Sequence, residues 1–347
     1  MTKKYTIRDI AKMAGVSKGT VDRVIHKRGK VSEKALQKVT EVLEKIDYQP
    51  NVIAKNLKNN KIYNIYVLLP DPVKDPYWIP CTKGINNVIL ELGHFGVNIT
   101  TTFFDPINPK SFLKANITIQ NEMPDAVLLA PLFFKEANIV LAEYERLGII
   151  VSTFNNDIES IGVKSFIGQD LFQSGRVAAK LLHSIGSNGD LAVINIEEQY
   201  ENAIFMQEKE KGFKSYFSTK QNFNSNILLC NIKYSDFENV LTNFIKENPK
   251  LSGIFVTTSK AYLVAEIIKN INHKKINLVG YDLINENIKY LKEEVIDFLI
   301  HQNPMQQAYF GLKFLVEHFI FEKEIPNQLL LPLDIINSEN FKLYKTN

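Results

Sequence analysis

The sequence predicts a small all-α head joined to a larger α/β core that contains parallel sheets in two lobes. At 347 residues, the chain is longer than the roughly 250–300 residues at which single hydrophobic cores stop growing. Its first fifty residues carry the apolar period of short helices. After about residue 62, apolar β-rich runs alternate with helical stretches, a pattern typical of parallel sheets covered on both faces.

Charge is distributed unevenly along the chain. Residues 1–61 hold 15 Lys and Arg against 6 Asp and Glu, a net charge of +9, whereas the rest holds 26 against 32, a net charge of −6. Such an asymmetry indicates a basic nucleic-acid or membrane module attached to an ordinary domain. The sequence contains no run of about 18 apolar residues, so we expect no membrane span.

Several classes of function are excluded by what the sequence lacks. Cys81 and Cys230 lie far apart, match no metal spacing and fit a reducing compartment. The polar N-terminus enters a patterned helix directly, so we expect no signal peptide. No nucleophile elbow, zinc spacing, phosphate-binding loop or dinucleotide motif is present. We therefore expect a cytoplasmic protein that is not an enzyme and binds no metal or cofactor.

Three short helices are predicted in the first fifty residues. Thr6 begins the first helix with Asp9 as its capping-box partner, and Gly15 ends it. Ser17 caps the second helix and Ser32 the third, so the first two form a helix-turn-helix. A solvated three-helix bundle is the alternative on pattern alone. The basic outer face of the second helix instead favours phosphate contacts, and a helix of this width fits the major groove of DNA.

The segment TIRDIAKMAGVSKGTVDRVIHKRGKVSEKALQKVTEVLEKIDYQPNVIAKNLK, residues 6–58, resembles the LacI/GalR family of bacterial transcription regulators. The resemblance implies a helix-turn-helix DNA-binding domain over residues 1–50 and a hinge helix and linker over residues 51–61. It also implies a homodimer that binds a pseudo-palindromic double-stranded operator, with no membrane partner. The implied DNA-binding residues are Thr6, Ser17, Lys18, Gly19, Thr20, Asp22, Arg23, His26, Tyr48, Asn51, Ala54, Leu57 and Lys58.

Three of these residues depart from the family pattern: Gly19, Asp22 and His26. Asp22 replaces a serine and is the least expected, because phosphates repel a carboxylate. It could pair with Lys18 four residues earlier, or accept a hydrogen bond from a cytosine amino group; we favour the pair. In the hinge segment, the resemblance assigns Leu57 as an apolar wedge that enters the central base step and bends the duplex.

Ten β-rich apolar runs in the remaining chain fall into two successive groups of five, which predicts two α/β lobes with a ligand cleft between their strand ends. The runs DPYWIPCTKGI, FIGQDLFQSGRVA, LVGYD and IHQNP resemble the ribose-binding branch of the type I periplasmic sugar-binding fold. This resemblance implies an effector-binding core over residues 62–347. One lobe would comprise about 62–168 and 303–325, and the other about 169–302 and 326–347.

The same resemblance implies ten effector-binding residues: Asp75, Tyr77, Trp78, Asn155, Asn156, Asp170, Gln207, Thr258, Asp282 and Gln302. Amides replace charged groups at several matched positions, and no Arg appears at any of them. We therefore expect a neutral sugar or polyol that allosterically modulates a repressor of carbohydrate use. A purine- or nucleoside-responsive repressor is the alternative, and a transport or chemoreceptor protein is disfavoured by the basic head.

Overall fold

The structure is a computed structural model that describes residues 5–25, 28–46, 48, 61–158, 162–186, 189–197, 200–220, 224–271 and 275–344. The chain separates into two compact units, Met1–Asn60 and Lys61–Asn347. Each unit has a hydrophobic core of its own.

The first unit contains α1 (Ile7–Ala14), α2 (Lys18–Ile25) and α3 (Glu33–Lys45). The capping box predicted at the start of α1 is present, since Asp9 N–H donates to Thr6 Oγ1 and Thr6 N–H donates to the Asp9 carboxylate. Gly15 ends α1 with φ of 62°, the left-handed conformation that favours glycine. Ser32 lies at the N-cap of α3, but its side chain makes no capping hydrogen bond.

The second unit is built on two sheets of mostly parallel strands, as predicted. Within the described residues, the first sheet has the order β11-β5-β4-β3-β1-β2 and the second β12-β10-β9-β8-β6-β7. The first comprises β1 (Tyr63–Pro70), β2 (Val97–Phe104), β3 (Ala126–Leu129), β4 (Ile150–Asn155), β5 (Val163–Gly168) and β11 (Gln328–Leu330). The second comprises β6 (Asp190–Ile196), β7 (Ile227–Ile232), β8 (Leu251–Val256), β9 (Asn277–Tyr281), β10 (Phe298–His301) and β12 (Asp334–Ile336). Of these, β12 pairs antiparallel to β10.

Helices cover both faces of each sheet. Those of the first lobe are α4 (Ile79–Leu92), α5 (Pro109–Asn121), α6 (Phe134–Arg146) and α12 (Pro304–Phe321). Those of the second lobe are α7 (Leu171–Ser184), α8 (Ile204–Ser218), α9 (Phe237–Glu247), α10 (Ala261–Asn270) and α11 (Asn285–Lys292). The inner strands are accordingly buried almost throughout, because helices shield both faces from water, whereas the edge strands β2, β7, β11 and β12 are only partly buried. No helix among the described residues has the length and apolarity needed to cross a membrane.

Two glycines set the close packing of α7 against α8. A Cβ atom on Gly175 would lie 1.9 Å from the Lys209 carbonyl oxygen, and one on Gly212 would lie 1.9 Å from that of Phe172. Both distances are far shorter than a van der Waals contact, so each position requires glycine. The close approach fixes α8, and with it Lys209, against the rest of the second lobe.

The chain passes between the lobes after β5, after β10 and after β11. The last crossing lies later than the predicted boundary near residue 326, because β11 pairs with β5 of the first sheet and β12 with β10 of the second. Gln169 connects all of these crossings. It follows β5, and its Nε2 donates to the carbonyl oxygens of His301 and Pro332.

Candidate DNA-binding head and effector cleft

The predicted recognition helix, α2, presents a polar surface to solvent. Ser17, Lys18, Gly19 and Arg23 are exposed, and Thr20 is half-buried. The Thr20 N–H donates to Ser17 Oγ at 3.2 Å, and the two hydroxyl oxygens lie 3.0 Å apart. This local capping fixes the first turn of α2, the turn that carries most of the predicted base contacts.

Other predicted DNA contacts flank this helix. Thr6 is exposed at the start of α1, and Asp22 is half-buried on α2. Tyr48 packs against the core of the head, its N–H donates to the Leu43 carbonyl, and burial raises the pKa of its phenol. The pairing of Asp22 with Lys18 stays a prediction. His26, Asn51, Ala54, Leu57 and Lys58, together with the predicted hinge helix, lie outside the described residues.

A cavity of about 510 Å³, here called the cleft, lies between the strand ends of the two lobes. Its volume falls in the range of about 300–1,000 Å³ that small-molecule sites occupy. The structure brings eight of the ten predicted effector residues into its wall: Asp75, Tyr77, Trp78, Asn155, Asn156, Thr258, Asp282 and Gln302. These eight residues come from segments that lie up to 227 residues apart in the chain, between Asp75 and Gln302.

Asp170 and Gln207 do not line the cleft. Asp170 caps α7 by accepting a hydrogen bond from Gln173 N–H at 2.8 Å, and it lines an adjoining cavity of about 630 Å³. Gln207 lies on a different surface of α8, beside Glu201 and Lys211. The cap on α7 is sufficient reason for a polar residue at position 170, so no contact with an effector is needed to explain it.

The first-lobe wall of the cleft is formed by residues after β1 and β4. Asn155 Nδ2 donates to the Tyr77 hydroxyl, and the Tyr77 N–H donates to the Asp75 carboxylate at 3.1 Å. Burial raises the pKa of Asp75. The Trp78 ring lies edge-on to the rings of Tyr77 and Phe154, so it packs in the lobe core as well as lining the cleft.

The second-lobe wall is centred on Asp282, directly after β9. Its Oδ1 accepts a hydrogen bond from Gln302 N–H at 3.1 Å, and its Oδ2 accepts one from Gln302 Nε2 at 2.7 Å. Burial raises the pKa of this carboxyl, although the Gln302 hydrogen bonds and the positive charge of Lys209 oppose the rise. Gln302 itself begins a lobe crossing, so its hydrogen bonds join Asp282 to the hinge.

The sequence reasoning missed Lys209, which supplies a cation inside the cleft. Its side chain is buried on α8, its Nζ donates to the Thr257 carbonyl at 3.0 Å, and the same atom lies 3.7 Å from the centroid of the Tyr281 ring. Desolvation lowers the pKa of Lys209, and the negative charge of Asp282 opposes this. The sequence suggested Lys260 as a cation that could reach the ligand, and Lys260 and Lys209 both line the cleft.

The helical period explains why Gln207 was predicted in place of Lys209. Gln207 was assigned to the ligand, but two helical positions rotate a side chain by about 200° around the axis. Gln207 and Lys209 thus face opposite sides of α8, and only the second side faces the cleft. The apolar pattern of the helix carried this signal: buried Met206, Lys209 and Phe213 follow the spacing of one face.

The remaining wall of the cleft is aromatic and charged. Among the described residues that line it, five are carboxylates and three are lysines. Lys74 and Asp105 form an ion pair at the rim. Further aromatic and charged side chains of the wall were not among the predicted effector-binding residues: Phe205, Tyr234, Tyr262, Glu197, Lys260 and Glu286. Within the described part of the chain, no cluster of His, Cys, Asp or Glu could hold a metal ion.

Family comparisons agree with both units. The family model described as "Bacterial regulatory proteins, lacI family" matches residues 6–51, and the one described as "Periplasmic binding protein domain" matches residues 65–323, more than half of the chain. A ribose operon repressor of Lactococcus lactis is 29% identical over 63% of this chain and 64% of its own length. A sucrose operon repressor of Streptococcus mutans is 22% identical over 96% of this chain and 98% of its own length.

Solved structures show the same core. A putative LacI transcriptional regulator from Bacteroides fragilis has a TM-score of 0.75 and 28% identity, and the match covers 82% of this chain and all of that one. A solute-binding protein from Burkholderia graminis in complex with D-arabinose has a TM-score of 0.73 at 18% identity, which shows a shared fold alone. The predicted helix-turn-helix head and two-lobed core are thereby confirmed, and the chain belongs to the LacI family of bacterial regulatory proteins, with a periplasmic-binding-protein core.

Proposed function

We propose that this protein is a transcriptional repressor of a carbohydrate-utilisation operon and that a small polyhydroxylated ligand in the cleft sets its operator affinity. The observation that carries the proposal is the cleft itself, whose aromatic rings alternate with hydrogen-bonding side chains from both lobes. Relatives that align with much of this chain are named ribose operon repressors and sucrose operon repressors. Head and cleft together favour a regulator over a transport protein.

The charges of the cleft favour a neutral ligand. Hydroxyl groups donate well to carboxylates such as Asp75 and Asp282 and accept from an ammonium such as Lys209. Carboxylates outnumber lysines in the described wall by five to three, so an acidic or phosphorylated sugar would meet a net negative environment. The aromatic rings supply flat apolar surfaces for the C–H faces of a sugar ring.

The proposed mechanism couples the cleft to the operator through the crossings. A homodimer presents two heads to a pseudo-palindromic site, so that protein symmetry matches DNA symmetry. A ligand shifts the arrangement of the lobes only by the difference in its affinity for the two arrangements. Gln302 contacts Asp282 at the start of one crossing, which gives the ligand a direct link to the hinge.

A second candidate is a purine- or nucleoside-responsive repressor. Proteins named PurR from Histophilus somni are 26% identical to this chain over 202 residues. Phe205, Tyr234 and Tyr262 in the cleft wall could stack on a base. Only ligand binding separates the two candidates, because both use the same fold.

A thermal-shift screen of the full chain over sugars, polyols, purines and nucleosides tests the proposal. A ligand that binds only the folded state raises the melting temperature by mass action. We expect a neutral sugar or polyol to stabilise the protein and to alter its retention of promoter DNA in an electrophoretic mobility assay.

Two lysines on α8 provide the matched pair of variants. Lys209→Met should abolish the stabilisation by the sugar, whereas Lys211→Met should retain it, because Lys211 is exposed and pairs with Glu208. Stabilisation by purines instead of sugars would support the second candidate. If the sugar still stabilised the Lys209→Met variant, the ligand would have to bind outside the cleft.

A further inference from the structure

Helix α6 of the first lobe lacks a capping side chain of its own. Its N-cap is Phe133, which makes no side-chain capping bond, so the first backbone N–H groups of the helix need partners from elsewhere. Asn202 provides one of them from the other lobe. Its Oδ1 accepts a hydrogen bond from Lys135 N–H at 2.9 Å, and its Nδ2 donates to Glu136 Oε2 at 2.7 Å.

This arrangement is a capping box shared between two lobes. In an ordinary capping box, one side chain accepts from an N–H in the first turn of the helix, and an acid at the third helical position accepts a hydrogen bond in return. Lys135 and Glu136 occupy the second and third positions of α6, whereas Asn202 belongs to the segment between β6 and α8. Asn202 is 5% exposed, so water competes little for these two bonds.

The shared cap lies beside the cleft. Leu132 precedes α6 and Phe205 follows Asn202, and both side chains line the cleft and the adjoining cavity of about 630 Å³. The same cavity is also lined by Gln169, the residue that joins the lobe crossings. A rotation of one lobe about the crossings would therefore separate Asn202 from α6 and move the wall of the cleft.

We propose that Asn202 is a positioning residue for effector binding: it caps α6 across the interlobe gap and so holds the lobes in the arrangement that forms the cleft. An N-cap substitution that costs about 1 kcal/mol corresponds to about a fivefold change in an equilibrium constant. The ratio of closed to open lobes should fall by up to that factor without Asn202. The apparent affinity for a ligand of the closed form would fall with the closed fraction.

The effector part of this inference rests on the proposed function, but the lobe arrangement can be measured without effector. Spin labels on Leu90→Cys of α4 and Lys246→Cys of α9, both exposed, report the distance between the lobes by pulsed electron resonance. We expect Asn202→Ala to broaden the distance distribution and to move it away from that of the labelled parent.

A matched control separates lobe closure from capping in general. Asn108 caps α5 by accepting from Lys110 N–H and Ser111 N–H, and all three residues lie in the first lobe. Asn108→Ala should lower the melting temperature while leaving the interlobe distance unchanged. An equal shift in distance for Asn108→Ala and Asn202→Ala would overturn the proposal.

A rescue pair tests the two hydrogen bonds directly. Asn202→Asp keeps the acceptor for Lys135 N–H but places its second oxygen against the Glu136 carboxylate, so the distance distribution should broaden. Adding Glu136→Gln should restore the parent distribution, because the new amide donates to the aspartate. An unchanged distribution in Asn202→Ala, or a failure of Glu136→Gln to rescue Asn202→Asp, would overturn the proposal whatever ligand the cleft binds.

Discussion

Replacing Asp282 with asparagine should change the stability of the core by an amount that falls as pH rises. Asp282 and Lys209 are each 2% exposed, so their charges lie in a medium that solvates ions poorly. The Asp282 charge raises the pKa of Lys209 against the lowering effect of burial. Asp282→Asn removes that charge. The Lys209 ammonium keeps its hydrogen bond to the Thr257 carbonyl, but a carbonyl is a dipole and does not neutralise a full positive charge.

The size of the effect follows from the burial of both groups. Lys209 and Asp282, both among the described residues, form no direct ion pair, so the roughly 3–5 kcal/mol that breaking a buried ion pair costs is an upper bound for the loss of their attraction. Removing the Asp282 charge also removes the cost of burying it, which offsets part of that loss. A loss of 1 kcal/mol lowers the melting temperature of a large domain by roughly 2–4 °C, so the variant should melt no more than roughly 20 °C below the parent. The new amide also turns one donor toward the Gln302 amide that formerly donated to Asp282, which adds to the loss.

The pH dependence distinguishes charge from packing. The folded-state pKa of Lys209 lies below its ordinary value, so both proteins gain stability as pH rises through the range where folded Lys209 loses its proton. Without Asp282, that pKa falls further, and the variant gains stability from a lower pH upward. The parent alone also loses stability as pH rises through the raised pKa of Asp282, about 6, so the deficit should be largest at acidic pH and should shrink through neutral toward alkaline pH.

Differential scanning calorimetry of both proteins at neutral and at alkaline pH measures this deficit. Asp297→Asn is the control: Asp297 accepts a hydrogen bond from Leu278 N–H, and its lysine partner, Lys275, has a side chain that is 70% exposed. That variant should lose stability by a similar amount at both pH values. A deficit for Asp282→Asn that stays constant or grows with pH would refute the coupling to Lys209.

Further changes test the head and the packing behind the cleft. Arg23→Ala should weaken specific operator binding by about 1–3 kcal/mol in fluorescence anisotropy titrations; an equal loss of effector binding would contradict the separate roles of head and core. Gly175→Ala should destabilise the core by at least about 1–3 kcal/mol, because the new Cβ would lie 1.9 Å from the Lys209 carbonyl oxygen; an unchanged melting temperature would mean that α7 and α8 can separate freely. Thr6→Ala removes one acceptor of the α1 capping box and should cost the head about 1 kcal/mol, seen as faster amide exchange at Asp9; unchanged exchange there would show that the cap contributes nothing.

Local rules predicted most of the head. Each helix begins at its predicted capping residue, and Thr6, Asp9 and Gly15 adopt the predicted conformations. Ser32 occupies the predicted N-cap without the predicted bond. The residue type at a cap fixes where a helix starts, but the rotamer that makes the bond depends on neighbours that a sequence pattern does not specify.

The fold class of the core could be predicted from the sequence, but its short edge strands could not. The ten predicted strands are long apolar runs, whereas β11 and β12 have three residues each and too little pattern to be recognised. Their pairing decides where the last crossing lies, and so the boundary predicted near residue 326 was too early. Edge strands are held by partners far away in sequence, which is information that local periodicity does not contain.

Backbone conformation at the cleft argues that its polar side chains serve the ligand rather than the fold. Asn155 is the last residue of β4 and Asp282 directly follows β9. Their φ angles of 73° and 69° lie in the left-handed region that glycine adopts at little cost. Each such residue costs on the order of 1 kcal/mol. Glycine at both positions would relieve this strain, and an apolar residue in place of Lys209 would avoid the desolvation of its charge. A sequence optimised for stability alone would contain neither the strain nor the buried cation. The side chains at these three positions share the cleft wall, and we propose that the strain and the buried charge are kept there for ligand binding.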